Sequence, residues 1–345
     1  MSQPVKATPR PLKLLRNLLG RWEARDLAPL ISLAVLLVFF WWTTPNFIRP
    51  ATLVMILKQG AVLAIVSTGL TYVLLCAEID LSVGMMALWS ACFCGWLFGH
   101  WGASSVGVAA TIAVPLLTCF ALGLLTGWLT VRARLPSFII SLAMMFIAEG
   151  LSRWITHSES FKVPEVLGTL GNRGIELTEQ FMLPYSAILA AGIMLAAHFV
   201  LRYTRFGRYV YVTGGNRQAA RMAGVRADRI VIACLAICAL TAAVGGLVNS
   251  GRMGNVTIDQ NKDLLLNSVA CVVLGGTSLF GGEGSMGKTV IGVLTFTVLS
   301  VGLILIDQIE LWWFVIRIDD FVRQLATGIV LMVALVINGV LARRS

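Results

Sequence analysis

Long apolar blocks alternate with short polar segments along the whole chain. The apolar runs cover approximately 27–44, 53–77, 81–98, 106–131, 137–155, 184–201, 230–248, 264–280, 289–306 and 323–341. Each lies near the ~20 residues that a helix needs to cross a hydrocarbon core of about 30 Å. In lipid every backbone polar group needs an internal partner, so these blocks are predicted to be helices. The pattern therefore predicts an all-α integral membrane protein, with about ten transmembrane helices in one bundle and no separate soluble domain.

The polar segments orient that bundle. Residues 1–26 form an N-terminal tail carrying Lys6, Arg10, Lys13, Arg16, Arg21 and Arg25, residues 27–341 the membrane domain, and residues 342–345 the C-terminus. The first block ends in Phe39-Phe40-Trp41-Trp42, which reads as an interfacial aromatic belt. No small-residue cleavage site follows it, so the block is predicted to be a retained span rather than a signal peptide. Ten spans place both termini on one side, and Lys/Arg bias makes that side cytoplasmic. The inner segments then hold 18 of the 27 basic residues, seven of them in the loop 202–229. The longest outer loop, 156–183, carries Glu159, Glu165, Glu176 and Glu179 and is net acidic.

Composition narrows the function. The chain is 57% hydrophobic and 13% charged, with a mean hydropathy of +0.84, against roughly a quarter charged in a soluble domain. This excludes a soluble enzyme. The net charge of +10 does not mark a nucleic-acid partner, because the basic residues lie between apolar blocks rather than on one face. Cys76, Cys92, Cys94, Cys119, Cys234, Cys238 and Cys271 sit in or at the edges of apolar blocks and read as small buried hydrophobes. Cys234 and Cys238 have the spacing of a helical metal pair, but no His or carboxylate joins them within the block. His100, His157 and His198 are scattered, so neither a metal site nor a nucleophilic constellation is expected.

Gly282-Glu283-Gly284-Ser285-Met286-Gly287-Lys288-Thr289 satisfies the phosphate-loop pattern. That chemistry needs a preceding strand, a following helix and an acidic partner for magnesium. Here apolar spans flank the motif, so it is expected to be a glycine-rich turn at the membrane surface.

Four other clusters together resemble the permeases of the ribose, xylose and galactose type, a branch of the binding-protein-dependent ABC importers, over most of the chain. Leu75-Cys76-Ala77-Glu78-Ile79-Asp80-Leu81-Ser82-Val83-Gly84 is similar to the family's T-G-G-I-D-L-S-V-G, with Ala77 and Glu78 where two glycines are usual. Asp80 or Ser82 would also cap the helix that follows, and a carboxylate there complements its dipole. Tyr203 to Gly224 resembles the stretch that docks on the ATPase subunit, through Thr204, Gly207, Arg208, Gly214, Gly215, Asn216, Ala219, Ala220 and Gly224, with Gln218 where an acidic residue is common. Small residues there suit a cytoplasmic helix that transmits the ATPase's closure by close packing. Val272 to Gly284 is similar to V-L-G-G-x-S-L-x-G-G-x-G, with Thr289 and Gly292 continuing the match. Its Gly275, Gly276, Gly281, Gly282 and Gly284 suit either a broken helix on the solute pathway or plain close packing. Leu135 to Met145 resembles the family's L-P-x-F-I-x-T-L.

The resemblance implies alternating access by a pair of permeases, this chain with a second copy or a paralogue. ATP and magnesium would be bound by a separate ABC ATPase subunit, and a periplasmic solute-binding protein would deliver the solute. This chain would carry no cofactor and no catalytic residue, and would reside in the bacterial inner membrane in contact with lipid. Asp80, Ser82, Gly84 and Glu149 join the glycines as candidates for the pathway or gate. Glu149 has a simpler reading as the partner of Arg153 one helical turn away. Lys58 is expected to snorkel to the outer interface. The rival of an ion-coupled transporter would need a paired midplane carboxylate or a basic relay, for which only Glu149, Glu78 and Asp80 are candidates. A lipid-acting enzyme would need a catalytic constellation at one interface. The spans of Leu, Val, Ala and Gly do not identify the solute. The resemblance implies a simple sugar or similar small polar solute, with a sugar-derived signal, a polyol, a nucleoside or an amino acid as alternatives.

Overall fold

The computed structural model describes residues 24–45, 47–102, 104–306, 308–311, 314–317, 321–329 and 332. Three helices form its centre: α2 (Pro50–Leu75), α3 (Val83–Trp101) and α10 (Ala227–Met253). Around them lie α1 (Ala24–Thr43), α4 (Ser105–Ala133), α5 (Ser137–Thr156), α7 (Tyr185–Tyr203) and α12 (Met286–Ile304). Side-chain pattern separates the two groups. Every residue of α2 from Ala61 to Leu75 is buried, as befits a helix apolar on all sides and enclosed by others. By contrast α4, α5 and α7 turn Leu117, Trp128, Phe146, Trp154, Leu195 and Phe199 outward. Without water as the driving force, close backbone approach must hold such helices together. α10 accordingly packs where α2 and α4 present glycines, against Gly69 of α2 and against Gly123 and Gly127 of α4.

Hydroxyls tie the centre further. Thr71 of α2 meets Thr289 of α12 at 2.8 Å, Ser90 of α3 donates to Ala243 O of α10 at 2.9 Å, and the Tyr72 hydroxyl donates to Ala197 O of α7 at 2.9 Å. In a medium without water each bond satisfies a group that has few alternatives.

Seven of the described helices are long and apolar enough to span a membrane, and the helices 28–43 and Leu264–Leu274 are apolar but shorter. The predicted block 264–280 is therefore corrected: α11 (Leu264–Leu274) is 11 residues long, about 16 Å at 1.5 Å per residue. It stops because Gly276, Gly281, Gly282 and Gly284 all take positive φ, which ends the helical hydrogen-bond ladder. Residues 321–329 are helical, and the remainder of the predicted block 323–341 lies almost wholly outside the described residues, as does the tail 1–23.

The predicted outer loop 156–183 is more ordered than expected. It holds β1 (Phe161–Lys162), α6 (Glu165–Asn172), β2 (Gly174–Thr178) and the start of β3 (Phe181–Pro184). β1 pairs antiparallel with β4 (Asn255–Val256), Phe161 opposite Val256, and β2 pairs with β3. A third ribbon joins β5 (Gln308–Leu311) to β6 (Phe314–Arg317). These ribbons mark one end of the bundle. The basic segments 132–134 and 202–229 mark the other, where the short helices α8 (Arg205–Gly215) and α9 (Arg217–Met222) lie. All seven cysteines are buried and unpaired.

Candidate functional site

The four sequence clusters, dispersed from residue 75 to residue 284, meet at the basic end of the bundle. α2 ends at Leu75, and residues 76–82 form a non-helical turn before α3 begins. Backbone donors of that turn are taken up by α5: Ile79 N donates to Ser137 Oγ at 2.9 Å and Leu81 N to Ser141 Oγ at 3.0 Å. On its other side the turn meets the glycine segment, where Gly282 N donates to Leu75 O at 2.9 Å.

Asp80 is only 2% exposed. Its Oδ1 accepts from Ser82 N at 2.9 Å and from Ser82 Oγ at 2.6 Å. Ser82 occupies the N-cap position of α3, but its side chain makes no capping bond. The capping expectation is thus corrected in detail: Asp80 closes a local turn through Ser82, and its carboxylate stands near the positive end of the α3 dipole. Gly84 follows in the first turn of α3 and faces Asn261 O of the α10–α11 connection and Leu265 at the start of α11.

Ala77 and Glu78 stand where the resembled family usually has two glycines. Ala77 adopts φ +59°, the left-handed region that glycine occupies without strain and alanine does not. A Cβ on Gly281 would collide with Ala77, and one on Gly214 would fall on Leu75 O. Glu78, 8% exposed, accepts from Arg217 Nη1 at 2.8 Å. Arg217 and Arg221 also reach Asp228 at 3.4 and 2.6 Å. The four groups line a polar groove of about 690 Å³ together with Arg132 and Arg134.

The stretch predicted to couple to an ATPase is two helices, not the single one expected. Thr204 caps α8, its Oγ1 accepting from Gly207 N at 3.2 Å. Asn216 caps α9, its Oδ1 accepting from Ala219 N at 2.9 Å. These are the two hydrogen-bonding caps that the sequence pattern supplies. Gly214 and Ala220 are buried, while Arg208, Gly215, Ala219 and Gly224 face outward. The buried members seat the two helices on the bundle, and the exposed members form a ledge. Tyr211 locks α8 to the glycine segment by donating to Gly284 O at 3.0 Å. Burial pushes the Tyr211 phenol above its ordinary range, so it remains a donor at neutral pH.

The sequence reading did not single out Phe280 or Met222. They are 90% and 78% exposed at this same end, and the glycines around Phe280 were the only hint. Of the predicted pathway residues, Asp80, Ser82, Gly281, Gly282 and Gly284 come together here. Gly275 instead packs on the backbone of Lys288, and Gly276 turns the chain after α11. Glu149 lies apart, about 18 Å along α5 from Ser137, and is held by Arg153 at 2.9 Å. The phosphate-loop pattern is a packed turn preceded by a helix rather than a strand. Ser285 caps α12 by accepting from Lys288 N at 3.3 Å, and Thr289 is engaged by Thr71.

Comparison with known proteins follows the same segments. A family model described as "Branched-chain amino acid transport system / permease component" matches residues 52–337. The ribose import permease protein RbsC of Escherichia coli (strain K12) is 29% identical over 314 residues, covering 90% of this chain and 92% of its own. The probable ABC transporter permease protein YphD of the same strain is 30% identical over 324 residues, covering 93% and 91%. The xylose transport system permease protein XylH, also of that strain, is 27% identical over 373 residues, covering 91% of both chains. No solved structure matches the chain.

Proposed function

The chain belongs to the branched-chain amino acid transport system permease component family, and on that footing we propose that its solute is a simple sugar. It is the permease subunit of an ABC importer and a multi-pass protein of the inner membrane. The ribose and xylose permeases among its relatives support the sugar assignment. The proposed topology has ten spans, with residues 202–229 and both termini in the cytoplasm.

The convergence of the turn 76–82, the glycine segment 275–284 and the α8–α9 ledge carries this reading. In it, a separate ATPase binds ATP and magnesium and docks on the ledge around Arg208, Gly215 and Ala219. Its closure pushes α8 and α9, and Gly214, Tyr211 and Arg217 pass that motion to the ends of α2 and α11. Two permeases, identical or paralogous, form the pathway, and a periplasmic binding protein delivers the solute to the ribbon end. No step of ATP chemistry falls to this chain.

The test is reconstitution of the chain with its ATPase and binding protein in proteoliposomes, using labelled D-ribose and D-xylose. Uptake that requires ATP and survives collapse of the proton gradient is expected. Uptake driven by the gradient without ATP would replace this reading with an ion-coupled carrier.

A further inference from the structure

At the ribbon end, α2, α10 and α11 enclose a second polar cavity, of about 180 Å³. It has room for on the order of half a dozen waters, and so for one small ring with its hydroxyls. It lies on the ribbon side of the bundle, away from the ledge: Asn249, in its wall, is 21 residues along α10 from Asp228, about 30 Å. Amides dominate the lining, an unusual choice inside an apolar bundle, where each must find partners.

Their hydrogen bonds run in one direction. Arg252 donates from Nε and Nη2 to Asn249 Oδ1, at 3.3 and 3.2 Å. That fixes the oxygen of Asn249 toward the guanidinium, and its Nδ2 donates onward to Asn261 Oδ1 at 2.9 Å. Asn261 is thereby oriented too, and its Nδ2 has no partner among the described residues although the residue is 1% exposed. Gln260 repeats the arrangement: its Oε1 accepts from Thr257 N at 3.4 Å, and its buried Nε2 has no partner among the described residues. On α2, Gln59, also in the lining, donates from Nε2 to Ser300 Oγ at 3.0 Å, which leaves its carbonyl oxygen as an acceptor. The lining thus combines buried donors from the α10–α11 connection with an acceptor from α2, and its one cation and one anion, Arg252 and Asp263, offset each other.

We propose that this cavity is a solute-binding station of the permease for a small, uncharged polyhydroxyl molecule, bound through the unpartnered amides of Asn261 and Gln260 and through Gln59 and Asn267. The proposal rests on the importer reading above and adds the place of recognition within the chain. A sugar hydroxyl both donates and accepts, so a ring carrying several of them satisfies both kinds of group at once. Buried donors reject an apolar solute, because they would stay unpaired. The station is also wired to the coupling end. α11 starts at the cavity wall and ends at the glycine segment that meets α8, and Gly84, four residues after Asp80, rests on Asn261 O.

The complete importer, reconstituted with its ATPase and binding protein, tests this with four labelled probes: D-ribose, D-xylose, D-galactose and L-leucine. The variants are Asn267→Leu, which loses no side-chain hydrogen bond to the described residues, and Asn261→Leu. Both should lower uptake of the transported aldose about tenfold or more, with normal membrane insertion and normal ATPase stimulation by the loaded binding protein. Wild-type uptake of an aldose that both variants keep within twofold would overturn the station alone. Asn267→Leu gives that answer even if Asn261→Leu fails to assemble. Wild-type uptake of leucine and of no aldose, or of none of the four, would overturn the sugar reading together with the station.

Discussion

Arg217 and Glu78, 139 residues apart in the chain, are joined by a 2.8 Å ion pair. The pair fastens α9 to the turn between α2 and α3. Glu78 occupies a position where the resembled family has glycine, and its side chain is only 10% exposed, against 37% for Arg217. A carboxylate so placed needs a partner, because an unpaired buried charge is costly. Arg217→Ala should therefore lower the stability of the purified permease by about 1–3 kcal/mol. Glu78→Gln should cost less, because the amide still accepts. A double-mutant cycle on thermal unfolding should give a coupling of about 1 kcal/mol or more. Additive single effects would show that the two residues do not act as a pair.

Ala77 pays a strain that glycine would not. The left-handed conformation costs a non-glycine residue about 1–2 kcal/mol, while glycine's extra freedom in the unfolded chain costs about 0.4–1 kcal/mol. Ala77→Gly should thus be neutral to stabilising by up to about 1 kcal/mol in thermal unfolding. A clear loss of stability would mean that the Ala77 methyl contact with Gly281 outweighs the strain.

Gly214 and Gly215 are neighbours with opposite surroundings. A Cβ on Gly214 would strike the Leu75 carbonyl, whereas one on Gly215 would meet open space. Gly214→Ala should destabilise the permease by roughly 1–3 kcal/mol, the usual cost of overpacking. Gly215→Leu should leave its melting temperature unchanged and abolish stimulation of the ATPase. Stimulation that survives Gly215→Leu would move the docking surface elsewhere.

Tyr211→Phe removes one hydrogen bond between α8 and the glycine segment. The expected cost is about 1 kcal/mol of stability, together with slower transport at unchanged membrane abundance. Transport at the wild-type rate would show that motion reaches α11 by another contact.

Much of the coupling end was legible before any coordinates, because its clusters are short motifs whose small residues act locally. Thr204 and Asn216 stood out as members of one such motif, and their capping of α8 and α9 emerges only with the structure. The pairing of Glu78 with Arg217 was not legible, although one signal existed: an acidic residue in place of a glycine, and an arginine inside a stretch of small residues. α11 was drawn too long because its apolar run continues past Leu274, and periodicity does not register where a positive φ ends a helix. The polar cavity was invisible for another reason. Gln59, Asn249 and Asn267 are isolated polar residues on three helices, and only packing brings them face to face. Glu149 stood out as a charge within a span, yet Arg153 one turn away fully accounts for it.

The seven thiols lie inside the protein, so the native surface is chemically silent toward maleimides and nitroxides. One cysteine introduced at the exposed Arg202 and another at the exposed Leu177 would each be a unique address without first stripping the natural ones. The separation of two such labels through an ATP cycle would then give a direct reading of how far a push at one face of the membrane travels toward the other.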